Sequence, residues 1–374
     1  MKAKSFSINP YNQKMKKNKW TKTKFTEMLA IDYPIVLGPL GGGISTVTLT
    51  TTVSNLGGLG SFGCQPYTAG EIVEHTAAIR KLTNKPFNLN LWVNDRDKQL
   101  EVFDIAAYEK LKEVFKPYTD ELAIALPEMP LDLGPKYEEQ VEAILETKPP
   151  VFSFMYGIPS EEILERCRRN GTKTIGTATT VDEAIALEKA GVDAVVATGF
   201  EAGGHRASFL RAAEDSLTGT FALIPMVADN ISVPLIAAGG ISDARGLKAA
   251  LTLGADAVQI GTAFLATDQS NANKEYKQRL FSEEAKYTTL TKIFTGRLSR
   301  GIRSILTEKL KEKEHLFAPY PIQRKFMISL VSSLIKNDSS GYVPFTAGQS
   351  APLLKYKDAE ELFKSLVNET EKFS

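Results

Sequence analysis

The chain has 374 residues, 43% of them hydrophobic and 24% charged, with a formal net charge of +1. This is ordinary globular composition, and the near balance of charge gives no electrostatic reason to expect nucleic acid or an anionic membrane as a partner. Two cysteines, Cys64 and Cys167, suggest neither a disulfide framework nor a zinc site and fit a reducing cytoplasm. No apolar stretch reaches the length of a membrane span.

Residues 1–26 hold eight lysines and no acidic residue. With no apolar segment behind them to form a secretory signal, they read as a basic, disordered arm over 1–27. From there strand and helix alternate. An apolar run over 33–40 ending in Gly41, Gly42 and Gly43 predicts a first strand, and 46–55 predict a helix despite its threonines. Residues 57–63 predict a second strand and 69–82 its helix. In the third strand, 86–93, Asn88 and Asn90 share one face while Phe87, Leu89 and Leu91 share the other.

Residues 95–150 are the longest excursion, with helical patterns around 104–117 and 135–147 and a proline-rich loop at the rim from Leu126. Residues 151–157 predict the fourth strand. The helix after it, 160–170, has Ser160 as N-cap, glutamates in its first turn, arginines in its last and Gly171 beyond, which suits the helix dipole. Further strands fall at 173–179, 193–197, 232–241 and 255–264, with helices over 181–190, 243–253 and 358–373. Eight strands alternating with helices predict an α/β fold, a (β/α)8 TIM barrel over 28–269. A doubly wound sheet is the alternative, but it needs neither eight parallel strands nor two glycine-ended strands near the finish. Residues 270–350 read as a mostly helical subdomain on the substrate side, and 351–374 as the last barrel helix.

The strand at 193–197 breaks at Thr198 into a loop with Gly199, Gly203 and Gly204, followed at once by His205 and Arg206. Histidine occurs only at 75, 205 and 315, so a titratable imidazole beside strand-end glycines is a candidate catalytic group. The plainer reading is a loop histidine bonded to a carbonyl. Gly239 and Gly240 end one strand, and Gln259, Ile260, Gly261 and Thr262 end the next. In barrels that position holds phosphate; otherwise such glycines merely relieve crowding. Asn88, Asn90, Thr198 and Gln259 add uncharged donors and acceptors that match a heteroaromatic edge. Together these suggest flavin mononucleotide (FMN). No Gly-x-Gly-x-x-Gly strand–helix turn with an acidic residue some twenty positions later is present, which disfavours a dinucleotide on a Rossmann domain.

Several blocks, in order, resemble the nitronate monooxygenase family, formerly the 2-nitropropane dioxygenases, in its class I-like form. They are Tyr33-Pro-Ile-Val with Gly-Gly-Gly-Ile-Ser-Thr, Val53-Ser-Asn-Leu-Gly-Gly-Leu-Gly-Ser, Phe87-Asn-Leu-Asn-Leu, Phe152-Ser-Phe-Met-Tyr-Gly-Ile-Pro, Glu201-Ala-Gly-Gly-His-Arg, Ala237-Ala-Gly-Gly-Ile and Gln259-Ile-Gly-Thr-Ala-Phe-Leu. The likeness spans about 28–350, and the block around His205 is its most specific part. It implies an FMN-dependent barrel that oxidises alkyl nitronates, such as propionate 3-nitronate, with O2. It further implies that His205 lies in the substrate site, as a base toward nitroalkanes or a polar anchor for nitronates. By the same resemblance Leu40, Gly41, Asn90, Gly203, Gly240 and the run from Gln259 to Thr262 would contact FMN, with Thr198, Gly204 and Gly239 beside them. The sequence departs from the family pattern at Leu40, where methionine is usual, at Thr198, often glutamine, and at Ala207, usually glycine. Two other readings stay open: an NAD(P)H-dependent quinone or enoyl-acyl-carrier reductase on the same barrel, and a flavin-binding protein without turnover.

Overall fold

The computed structural model describes residues 20–93 and 97–372, so the expected basic arm lies outside the described residues as far as residue 19. From Trp20 onward the reading of disorder is corrected. Thr23 caps the helix Lys24–Leu29 through a reciprocal capping box with Thr26. Phe25, Leu29 and Ile31 of this segment are buried against Val36, Leu59, Val151, Ile175 and Ala194. The helix plugs the bottom of a barrel, and that burial is what orders it.

The barrel strands are β1 (Ile35–Leu37), β2 (Gly60–Gly63), β3 (Phe87–Trp92), β4 (Val151–Met155), β5 (Lys173–Ala178) and β6 (Ala194–Thr198). After a two-residue strand β7 (Gly204–His205) come β8 (Leu235–Ala238) and β9 (Ala257–Ile260). All barrel pairs are parallel, in the order β1-β9-β8-β6-β5-β4-β3-β2. A bridge between Val36 and Leu59 joins the two ends, with Leu37 N–H donating to Leu59 O at 2.9 Å and Leu59 N–H to Ile35 O at 2.9 Å. This is the TIM-type barrel the alternation predicts.

Because side chains alternate along a strand, each strand feeds two cores. Ile35, Leu37, Leu89, Leu91, Phe152 and Phe154 pack outward in the helix-facing core. Val36, Val151, Ile175, Val196, Ile236 and Ala257 fill the barrel interior. One pleat higher, at the C-terminal strand ends, the inward positions change to Asn90, Thr177, Thr198, Ala238 and Gln259. The apolar interior therefore stops one layer below the mouth, and a polar floor replaces it.

Three elements differ from the sequence reading. The strand expected over 255–264 ends at Ile260, whose carbonyl takes Gly38 N–H at 2.8 Å. Gly261 then turns the chain, and Thr262–Leu265 is a short helix. A helix at Thr220–Ala228 was missed, since its mostly apolar sequence with Pro225 inside carries no amphipathic signature. Finally, residues 270–350 are not helical throughout. They contain β10 (Thr288–Thr291) and β11 (Ser299–Ile302), which pair antiparallel, and β11 pairs with β7 in the register Ser299 to His205. The helix Ile322–Lys336 packs beside them over the barrel mouth.

Candidate active site

The loop after β6 is held from behind. Arg206 is only 1% exposed, and its guanidinium donates to Thr198 O at 3.0 Å, Gly199 O at 2.7 Å and Ser216 O at 3.0 Å. Glu201 accepts the Thr220 N–H at 2.9 Å, and the Thr220 hydroxyl lies 2.9 Å from both Glu201 Oε2 and Gly239 O. The loops after β6 and β8 are thus one hydrogen-bonded unit. At Gly203 a Cβ would stand 2.4 Å from Gly348 N, so only glycine lets the two segments meet. Gly348 N–H in turn donates to Thr262 Oγ1 at 3.0 Å. The segment around Gly348, left without a role by sequence, returns to the site.

Above the polar floor lies a cavity of about 460 Å³. Leu40, Gly41, Asn90, Thr198, Gly203, Gly204, His205, Gly239, Gly240, Gln259, Gly261 and Thr262 all line it. Ile260 does not. As the neighbour of Leu37 it has the outward pleat, and its side chain is fully buried in the helix-facing core. Asn88 also sits one layer too deep, donating to Ser61 Oγ at 3.1 Å and Ser153 Oγ at 2.8 Å. Asn90 donates to the same Ser153 Oγ at 2.9 Å.

This half of the cavity fits a flavin. Gly240 holds a left-handed backbone, φ 73°, which opens the strand end. At Gly41, Gly204 and Gly261 an added Cβ would meet nothing within 4 Å, so their missing side chains leave open space in the wall. The Gln259 amide lines the cavity and makes no hydrogen bond among the described residues. Strand-end glycines, the Thr262 hydroxyl and the start of a short helix stand where barrels bind phosphate. Asn90, Thr198 and Gln259 offer the uncharged donors and acceptors a flavin ring edge needs.

The opposite wall was only partly legible. The His205 Nε2 lies 2.8 Å from Thr295 Oγ1, and its ring meets Trp92 edge-on at 4.8 Å between centroids. Behind them Arg297 sits over Tyr320 at 4.4 Å and Tyr156 at 4.5 Å, and donates to Asp97 Oδ1 at 2.8 Å. Tyr156 keeps a left-handed backbone, φ 65°, a strained conformation for an aromatic residue. Burial first, then the positive charges of Arg297 and Arg324, push the His205 pKa down to about 3. The imidazole is neutral at pH 7. Trp92 could have been found from sequence, being two residues beyond Asn90 on the same strand face. Thr295, Arg297 and Arg324 carry no such local signal.

Among the described residues no helix is long and apolar enough to cross a membrane, and no group of three or more His, Cys, Asp or Glu could hold a metal. The nitronate monooxygenase family profile matches residues 22–369. A probable nitronate monooxygenase of Staphylococcus aureus (strain Newman) is 36% identical over 351 residues, covering 94% of this chain and 98% of the relative. Nitroalkane oxidase from Streptomyces ansochromogenes superposes with a TM-score of 0.83 at 32% identity, over 94% of this chain and 98% of that one. FabK from Thermotoga maritima superposes with a TM-score of 0.72 at 28% identity, over 94% and 97%. The chain belongs to the nitronate monooxygenase family and is a flavin-dependent monooxygenase.

Proposed function

We propose that the chain oxidises alkyl nitronates with O2, with FMN against the glycine wall and the nitronate beside His205. When bound, the flavin would supply the redox chemistry between the nitronate and O2. Two nitronate anions and one O2 would together give two carbonyl compounds and two nitrite ions, each carbon gaining a bond to an oxygen atom of O2 as its bond to nitrogen breaks.

One observation carries the choice of nitronate over nitroalkane: the depressed pKa of His205. A general base works best with a pKa near the operating pH, and an imidazole at about 3 is a weak base toward a C–H bond. A neutral imidazole is well suited to hydrogen-bond a substrate that is already deprotonated. Thr295 fixes the ring by its bond to Nε2, and Trp92 covers one edge, so the imidazole is oriented before substrate arrives. An anion bound beside His205 would raise its pKa again by opposite charge.

The test is oxygen uptake and nitrite release by the flavin-loaded protein at pH 7, with propyl nitronate and with 1-nitropropane. The nitronate is consumed faster by about a hundredfold or more, since proton abstraction is the step the site serves poorly. Equal rates would mean that His205 acts as an effective base and that the nitroalkane is the natural substrate.

A further inference from the structure

The half of the cavity that the glycines do not build is closed by one face of the helix Ile322–Lys336. Arg324, Met327, Ile328 and Val331 all line the cavity, at the i, i+3, i+4, i+7 spacing that brings side chains to one side of a helix. Arg324 stands in the first turn, and about 10 Å of helix axis separate it from Val331. Met327 is buried, Ile328 is exposed and Val331 is half-buried, so this apolar strip runs to the mouth of the cavity.

Two observations set Arg324 apart. Among the described residues no hydrogen bond or ion pair holds its guanidinium, whereas the adjacent Lys325 pairs with Asp132 at 3.6 Å. Among the described residues the cavity lining also contains no Asp, Glu or Lys. With His205 neutral, Arg324 is the one full charge on that lining among the described residues. Its charge reaches the His205 ring, so the two groups share the same space. A half-buried guanidinium with no carboxylate partner presents its fork of donors to a planar anion with two oxygens.

We propose that Arg324 holds the oxygens of a singly charged nitronate while its alkyl chain lies along Met327, Ile328 and Val331. The proposal rests on the reading that nitronates are the substrates, and it narrows their class to simple alkyl nitronates. A second, distal carboxylate would fall among apolar side chains with no cation to meet it. Dianionic propionate 3-nitronate, expected from the family resemblance, is then a poorer substrate than a butyl or pentyl nitronate.

Two measurements on the flavin-loaded enzyme test this. The first is kcat/KM from oxygen uptake for ethyl to hexyl nitronate and for propionate 3-nitronate. The second is calorimetric binding of the alkyl carboxylates from propanoate to heptanoate, planar anions that cannot be oxidised. Both series should strengthen by about fourfold per methylene, the gain expected for burying each CH2. Propionate 3-nitronate should fall below butyl nitronate. Arg324→Met should weaken carboxylate binding by about tenfold or more while keeping the chain-length trend, as loss of a charged hydrogen-bonding partner does. Arg324→Lys, which keeps the charge but not the fork, should recover part of that loss, and Val331→Thr should flatten the trend alone. Carboxylate binding that depends on Arg324 in a protein inert toward nitronates would support this subsite and sink the nitronate reading. Nitronate oxidation that ignores both chain length and Arg324→Met would keep the nitronate reading and overturn this subsite. So would Val331→Thr lowering flavin occupancy with the chain trend intact, since the strip would then belong to the cofactor.

Discussion

The two walls of the cavity are built in opposite ways. The glycine wall comes from the ends of β6, β8 and β9, presents backbone and short polar groups, and keeps its charges, Arg206 and Glu201, behind the loop. The facing wall comes from the excursion over 270–350, from Trp92 and from His205 on β7. It presents side chains: an imidazole, aromatic rings, an apolar strip and a guanidinium with no partner among the described residues. A backbone wall tolerates few changes and suits a ligand that does not vary. A side-chain wall can be altered one residue at a time, which is where substrate preference can be tuned.

The largest expected effect breaks the backbone wall. Arg206→Met takes the guanidinium away from the buried carbonyls of Thr198, Gly199 and Ser216, leaves Gly199 O with Ala202 N–H alone, and removes a positive charge from beside Glu183 and Glu201. Removing one member of a buried charged network costs about 3–5 kcal/mol, read as a fall in the denaturant midpoint together with loss of flavin. Substitution of Arg324 leaves that midpoint nearly unchanged, because among the described residues no hydrogen bond or ion pair depends on it.

The next effect is a pH dependence confined to the side-chain wall. The folded protein holds the His205 pKa at about 3, below the ordinary 6.5, under burial and the charges of Arg297 and Arg324. Between those values the unfolded chain binds more protons than the folded one, so stability rises with pH across that window. This contribution is fully present above pH 6.5 and is lost as pH falls toward 3. From pH 6.5 to 5, ligand-free protein should lose about 2 kcal/mol more than His205→Asn loses. Parallel urea curves for the two proteins at both pH values would remove His205 from the account.

A smaller substitution sharpens the contrast from the other side. Gly261→Ala places a methyl group in open space, at φ −101°, where alanine is unstrained. It should weaken FMN binding by about tenfold, equivalent to about 1.4 kcal/mol, with the unfolding midpoint of flavin-free protein unmoved. Gly203→Ala, which drives a Cβ into Gly348 and Ala347, should lower both.

What could be read in the sequence follows the same division. The barrel strands announced themselves through apolar runs between helices. Strand-end glycines and His205 are local features, three to six residues long, which a linear reading can see. Ile260 was misassigned because a run of four residues was read without its pleat, although alternation from Leu37 and Gln259 turns it outward. The hairpin of β10 and β11 escaped because Thr-Thr-Leu-Thr and Ser-Arg-Gly-Ile lack a clear two-residue alternation of apolar and polar side chains. Their partner, β7, is two residues long and nearly a hundred positions away, so nothing local marks it. Arg324 is beside Lys325 on a helix, and composition cannot say which faces the cavity. Only the packing of that helix over the barrel mouth decides it.

The most direct test is anaerobic mixing of the yellow, FMN-loaded protein with butyl nitronate, in parallel with NADH, while the visible flavin absorbance is recorded. Oxygen is then readmitted and nitrite measured. Bleaching by nitronate but not by NADH, with colour and nitrite returning together, is the predicted result. Bleaching by NADH alone, with nitronate inert, would contradict the account and make the protein a pyridine-nucleotide-dependent reductase.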